Sequence, residues 1–271
     1  MVFSEEPQHM RTAYTYDIFK RATFIFVVFV LILVNALSNI IPFGGQTNAA
    51  ISAKYPTLIT PEGYAFSIWG VIYLTLAIFA VFQFFKGKEV RLYKLIWPYF
   101  MVNVAANCLW LLAFQNDWLI LSLALMAVIL VSLIEIFKIF YRLQRSMGTT
   151  QRYFFHVPFG LYFGWVSVAA VVNAAVVLTS FDLPFFANNE GLFALIAIAV
   201  ATALGLIILV SQKDFIYTFA ILWGLVAIYV KQMDEPMAMN AAKFGAIALI
   251  AAMLVTFISD RIKVAKYGRS A

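Results

Sequence analysis

Long apolar runs recur along almost the whole chain, each close to the length that a membrane-spanning helix needs. The hydrocarbon core of a bilayer is about 30 Å thick and takes about 20 helical residues to cross. Such runs occupy Ala22–Phe43, Tyr64–Phe85, Ile96–Phe114, Trp118–Phe140, Phe155–Thr179, Leu192–Val210, Phe215–Val230 and Ala241–Ser259. They are continuous rather than alternating. They therefore read as helices, which satisfy their own backbone groups in lipid, and not as barrel strands. The expected fold is all-α, a polytopic transmembrane bundle of about eight spans. Only 12% of the residues are charged and 64% are hydrophobic, whereas a soluble domain carries roughly 25% charged residues. Phe215–Val230 is the shortest run, and if it did not cross, the C-terminus would change sides.

The charges then orient the bundle. Lys and Arg concentrate on the cytoplasmic side of membrane proteins. With eight spans, sixteen of the nineteen basic residues fall on one side. They lie before the first span, in the 86–94 and 138–152 connections, at Lys213 and in the tail. Only Lys54, Lys231 and Lys243 fall on the other side. Both termini are thus expected in the cytoplasm and the chain in the cytoplasmic (inner) membrane. Residues 1–21 read as a cytoplasmic segment without a cleavable signal, 22–180 as five spans, 181–260 as three more, and 261–271 as a basic tail. The net charge of +6 follows this distribution and is no nucleic-acid signal.

The loop between the first two spans is the longest on the outer side. It holds the turn signals Gly44-Gly45 and Thr60-Pro61. Between them Asn48–Tyr55 can form a short interfacial helix. Such a loop can serve as a lid over a cavity or lie as a connector on the membrane surface. Ala194, Ala197, Ala201 and Gly205 form a small-residue stripe on the sixth span, as do Ala241, Gly245, Ala248 and Ala252 on the eighth. Small residues at this spacing let helices approach closely in lipid.

Ionisable groups are sparse within the spans. Glu135 has Lys138 three residues on, a local pair. His9 lies in the N-terminal segment, and His156, at the start of the fifth span, reads as an interfacial side chain. The single cysteine, Cys108, sits in an apolar run as packing and excludes an intrachain disulfide. No metal-ligand spacing, phosphate loop or acid–base pair is visible, so an enzyme is the least supported class.

What remains is a set of aromatic and amide faces. Phe66, Trp69 and Tyr73 share one side of the second span. Asn103, Asn107, Trp110 and Phe114 follow helical spacing on the third. Tyr162, Trp165, Ala169 and Asn173 do so on the fifth. Amides are costly in hydrocarbon and should face the bundle interior. Two readings fit. In one, the faces line a site for a flat, mostly apolar ligand on which rings stack; in the other, the amides are interhelical glue among core aromatics.

At these residues the chain resembles the tryptophan-rich sensory protein family (TspO, the translocator protein family). Thr60-Pro61-Glu62-Gly63-Tyr64-Ala65-Phe66, then Trp69 and Tyr73, is similar to the opening of that family's second helix. Asn107, Trp110 and Phe114 match its third helix, and Tyr162, Trp165, Ala169 and Asn173 its fifth. The resemblance covers roughly residues 22–180, and the three C-terminal spans exceed the family's five. Departures include Glu62 for a Pro, Tyr64 for a Trp, Leu161 for a Pro and Val168 for a Phe. The basic and Tyr residues of the proposed cholesterol motif are absent after Asn173, so a sterol assignment does not transfer. The resemblance implies a pocket in the five-helix bundle, opening toward the first loop. It would bind a hydrophobic small molecule such as a porphyrin or haem, or a lipid, without any required cofactor. Its implied lining is Tyr64, Phe66, Trp69, Tyr73, Asn103, Asn107, Trp110, Phe114, Tyr162, Trp165, Ala169 and Asn173. A homodimer or larger membrane complex is the implied assembly. Sensing or transport is the implied role; an accessory membrane subunit and a secondary transporter are the alternatives.

Overall fold

The computed structural model describes residues 8–86 and 90–267. The start of the N-terminal segment, Lys88 and Arg269 lie outside the described residues. Ten α-helices are present among these: α1 (Gln8–Ile40), α2 (Asn48–Lys54), α3 (Ile68–Lys86), α4 (Val90–Gln115), α5 (Leu119–Leu143), α6 (Thr149–Ser180), α7 (Pro184–Asn188), α8 (Glu190–Gln212), α9 (Phe215–Lys231) and α10 (Pro236–Tyr267). Seven are long and apolar enough to cross a membrane, and α9 is a shorter apolar helix of 17 residues. The fold is therefore the all-α polytopic bundle that the apolar runs imply.

Five helices close a ring. α1 packs on α3, α3 on α6, α6 on α5, α5 on α4, and α4 back on α1. Inside it the aromatic rings of Phe24, Phe79, Phe100, Phe155 and Phe159 interlock, with Phe24 stacked on Phe100 at 4.4 Å between centroids. α9 docks on the outside of this ring against α6, and α8 and α10 pack on α9 and on each other.

The brevity of α9 has a physical cause. At 1.5 Å per residue it is about 25 Å long, short for a helix bathed in lipid. Its Tyr217, Thr218, Ala220, Ile221, Gly224, Leu225, Ala227 and Ile228 are all buried, so neighbouring helices, rather than lipid, surround most of it. Close approach depends on glycine. A Cβ at Gly164 of α6 would lie 2.4 Å from the Tyr217 carbonyl oxygen of α9, and one at Gly224 would lie 2.9 Å from Val168 Cγ1. The small residues of α8 and α10 divide their work. Gly205 meets Leu249 and Gly245 meets Thr202 across the α8–α10 seam, whereas Ala194 and Ala197 face an open space beside α6.

The long first loop is ordered by the α4–α5 turn. Gln115 accepts from the Phe43 backbone N–H at 2.9 Å and donates to the Ser38 carbonyl at 3.0 Å and to Asn48 Oδ1 at 3.1 Å. Lys54 pairs with Asp117, to which the Tyr55 hydroxyl also donates at 2.9 Å. Thr47 caps α2, accepting from the Ala50 N–H. The loop is thus a lid pinned to the bundle rather than a loose connector. On the other face of the bundle, Glu135 and Lys138 form the local pair expected of them, at 2.7 Å.

Candidate functional site

Under α2 lies a cavity between α3, α4 and α6. Phe66 and Trp69 form one wall, Trp110 and Phe114 a second, and Trp165, Ala169 and Asn173 a third. Asn48 and Ser52 of α2 and Pro61 of the following loop form the roof, and Val168 and Val172 complete the α6 wall. The sequence pattern named the seven wall residues. It offered the Asn48–Tyr55 segment as a lid but did not name Val168 or Val172 as lining, nor the contacts that hold the loop, because a contact between a loop and a distant helix leaves no periodic trace.

The rings are held by one another. Trp69 stacks on Tyr73 at 5.5 Å and meets Trp165 at 6.4 Å with the planes at 90°. Phe66 meets Trp165 edge-on at 6.2 Å, and Trp110 stacks on Phe114 at 5.3 Å. Edge and offset arrangements of this kind favour fixed ring orientations.

The amides do the work of glue. Asn107 accepts from Asn35 Nδ2 at 3.0 Å and donates to the Tyr162 hydroxyl at 3.0 Å, joining α1, α4 and α6. Asn103 donates to Ser132 Oγ at 2.9 Å, joining α4 to α5. Neither amide, nor Tyr162, nor Tyr73, reaches the cavity. Tyr64 also lies elsewhere, edge-on to Trp223 at 5.3 Å. Asn173 serves both purposes. It lines the cavity, accepts from Trp110 Nε1 at 3.1 Å and donates to Ser122 Oγ at 3.1 Å.

One polar group in the wall is different. Trp165 is 2% exposed, and its Nε1–H has no hydrogen-bond partner. A buried donor left unmade costs about 1–3 kcal/mol, so an acceptor that reached this N–H would recover that cost. The enclosed space is about 40 Å³, room for roughly two or three waters. A macrocycle needs the roof to lift. The walls carry no histidine, cysteine or methionine, so the lining suits stacking on a metal-free ring and does not supply an axial ligand to haem iron.

The roof is latched from the far end of the chain. The Glu62 backbone N–H donates to the Ala227 carbonyl at 3.0 Å, and Trp223 Nε1 to the Ala65 carbonyl at 3.0 Å. Gln232 Nε2 donates to the Thr57 carbonyl at 3.1 Å and the Thr60 carbonyl at 3.3 Å. The C-terminal helices therefore brace the cavity's cover. Gln232→Ala removes two bonds worth about 1 kcal/mol each. Amide hydrogen exchange over residues 57–62 should then quicken roughly 5–30-fold, with the five-helix ring unchanged.

A second polar cluster sits at the opposite end of the bundle. Asp214 caps α9, its Oδ1 accepting from the Ile216 and Tyr217 N–H groups at 3.1 and 2.9 Å. Its Oδ2 accepts from the Tyr141 hydroxyl at 2.8 Å and lies 2.7 Å from His156 Nε2. The carboxylate is 0% exposed and the imidazole 18%. α5, α6 and α9 thus meet at one carboxylate. His156 is accordingly part of a buried polar cluster and not merely interfacial. An Asp immediately before an apolar run is a helix-start signal, but its pairing with residues 58 and 73 positions away has no local signature.

Comparison with known families agrees with this arrangement. The profile of the family described as TSPO-like protein matches residues 21–255, which takes in the five-helix ring and continues through α8 and α9 into α10. Comparisons with curated proteins and with solved structures find no match. With a match over most of its length and an all-helical bundle of membrane-spanning helices, this chain belongs to the TSPO-like protein family.

Proposed function

We propose that the chain is a membrane sensor or translocator that admits a flat, mostly apolar ligand, of the tetrapyrrole or lipid class, to the cavity under α2. The observation that carries this reading is the buried, unpartnered Trp165 Nε1–H in a wall of stacked aromatic rings. It offers an acceptor-bearing ring both a face to stack on and one donor to orient it. The pinned but separately built lid supports admission by lifting the roof rather than by opening the helix ring. In this reading the excess of Lys and Arg puts the end with the α8–α9 turn in the cytoplasm and the lid on the other side.

Titration of the full chain in detergent with metal-free protoporphyrin, followed by tryptophan fluorescence, tests the reading. Wild type should show saturable quenching. Ala169→Phe fills the α6 wall and should lower apparent affinity at least about tenfold, the equivalent of ~1.4 kcal/mol. Equal quenching by both proteins would remove the cavity from consideration.

A further inference from the structure

The other side of α6 carries a larger space that the proposed ligand site does not use. It is a cleft of about 580 Å³ between α6 and α8, roofed by Pro56–Ile59 and α7, within the ~300–1,000 Å³ range of small-molecule sites. Along α6 it runs from Ser167 to Thr179, about 18 Å at helical rise, and it continues to Asp182 in the turn beyond. That span takes it from the middle of the bundle to the surface at the lid end.

Its walls are apolar and its space comes from small side chains, Ala170 and Ala174 on α6 and Ala197 on α8. Ile196 and Val200, on the α8 wall, are 51% and 45% exposed, so the cleft opens sideways toward the surroundings of the bundle. In a bilayer those surroundings are acyl chains. The rim has a definite charge. Asp182 and Glu190 line it, and no Lys, Arg or His does. Asp182 stands in the left-handed region at φ 48°, in the turn after α6. Glu190 accepts from the Leu58 N–H through Oε1 at 3.1 Å.

We infer that this cleft holds an acyl chain of a membrane lipid with a primary-ammonium headgroup, of the phosphatidylethanolamine type, whose ammonium sits between Asp182 and Glu190. The selectivity follows from the rim. Two carboxylates repel an anionic headgroup. A quaternary ammonium is attracted but has no N–H to donate, so it forgoes the charge-assisted bonds that a primary ammonium makes. This inference is independent of the ligand assigned to the cavity under α2.

The test uses the full chain, delipidated in mild detergent. It is offered equal amounts of dioleoyl phosphatidylethanolamine, phosphatidylcholine and phosphatidylglycerol, and retained lipid is read by native mass spectrometry. Phosphatidylethanolamine should be retained about fivefold over each of the others, the ratio that one ~1 kcal/mol charged contact gives. Ala174→Phe and Ala197→Phe, which fill the cleft, should each abolish the retention. Asp182→Asn with Glu190→Gln changes only the rim and should bring the three lipids to parity while leaving some of each bound. Parity in the wild type, a preference for phosphatidylglycerol, or an unchanged preference in the rim variant would overturn the proposal. The rim variant leaves the packed core untouched, so it decides the matter even if both Phe variants fail to fold.

Discussion

Asp214→Ala should lower the stability of the folded chain by several kcal/mol, about 0.5–2 for the lost helix cap and about 1–3 for each buried donor left unmade. The substitution strips α9 of its cap, leaves the Ile216 and Tyr217 N–H groups open and leaves Tyr141 and His156 without their shared acceptor. Asp214→Asn keeps an oxygen for the cap and loses the negative charge that Tyr141 and His156 face, so it should fall between wild type and Ala. Thermal unfolding in detergent at matched pH measures both. Acid supplies a second signature. Burial works to raise this carboxyl, but His156 and the hydrogen bonds from Tyr217 and Tyr141 outweigh it and hold the group below its ordinary value of 3.8. A carboxyl lowered on folding contributes stability that is complete above its unfolded value and is lost as pH falls through the folded one. Wild type should therefore lose this increment only in strong acid, whereas the Ala variant, lacking it already, should show a flatter profile there. An equal response of the two proteins to acid would show that the cluster contributes nothing to folding.

Among the glycines of the membrane-spanning helices, Gly164→Ala should be the most damaging single methyl. The added carbon would meet the Tyr217 carbonyl oxygen at 2.4 Å and Ala220 Cβ at 2.7 Å. The first of these is backbone and cannot rotate away. Overpacking a core typically costs about 1–3 kcal/mol, and a backbone contact places this substitution at the top of that range. Relief requires α9 to move off α6, and α9 carries the Trp223 and Gln232 contacts that hold the roof. Gly164→Ala should thus both lower the melting temperature and raise hydrogen exchange over residues 57–62. Gly70→Ala in α3 is the matched control. No atom lies within 4 Å of its added carbon, and Ala is favoured over Gly in a helix by up to about 1 kcal/mol, so it should be neutral or mildly stabilising. A Gly164→Ala protein as stable as the Gly70→Ala one would mean that the α6–α9 seam is not tight.

The contrast between these positions shows where sequence reading succeeds. Apolar runs and turn residues are local, so the apolar middles of the eight helices and the α2 segment were legible, whereas the polar extensions of α1, α4, α6 and α10 beyond those runs were not. Helical spacing also told which residues share a face, and Trp69, Trp110, Trp165 and Ala169 do converge on one cavity. Spacing does not tell which neighbour a face meets. Asn103 and Asn107 sit on the same stripe as Trp110, yet a small rotation about the α4 axis gives them to Ser132, Asn35 and Tyr162 instead. Likewise Ala194 and Ala197 carry the same small-residue signal as Gly205. The first two border an empty cleft and the third a tight helix seam. Asp214 reads in sequence as no more than a helix-start residue. Its importance comes from partners on two other helices, and only three-dimensional packing brings those to it.

The latch on the lid also has a consequence in time. Ala65 and Trp223 bond across 158 residues of chain. At a synthesis rate of about 5–20 residues per second, roughly 10–30 seconds separate the appearance of the roof from that of the helix that fastens it. During that interval the aromatic walls can already be in place while their cover lacks its bonds to Ala227, Trp223 and Gln232. A nascent chain therefore passes through a stage in which the roof exists without its α9 fastening, and the arrival of α9 completes the cover.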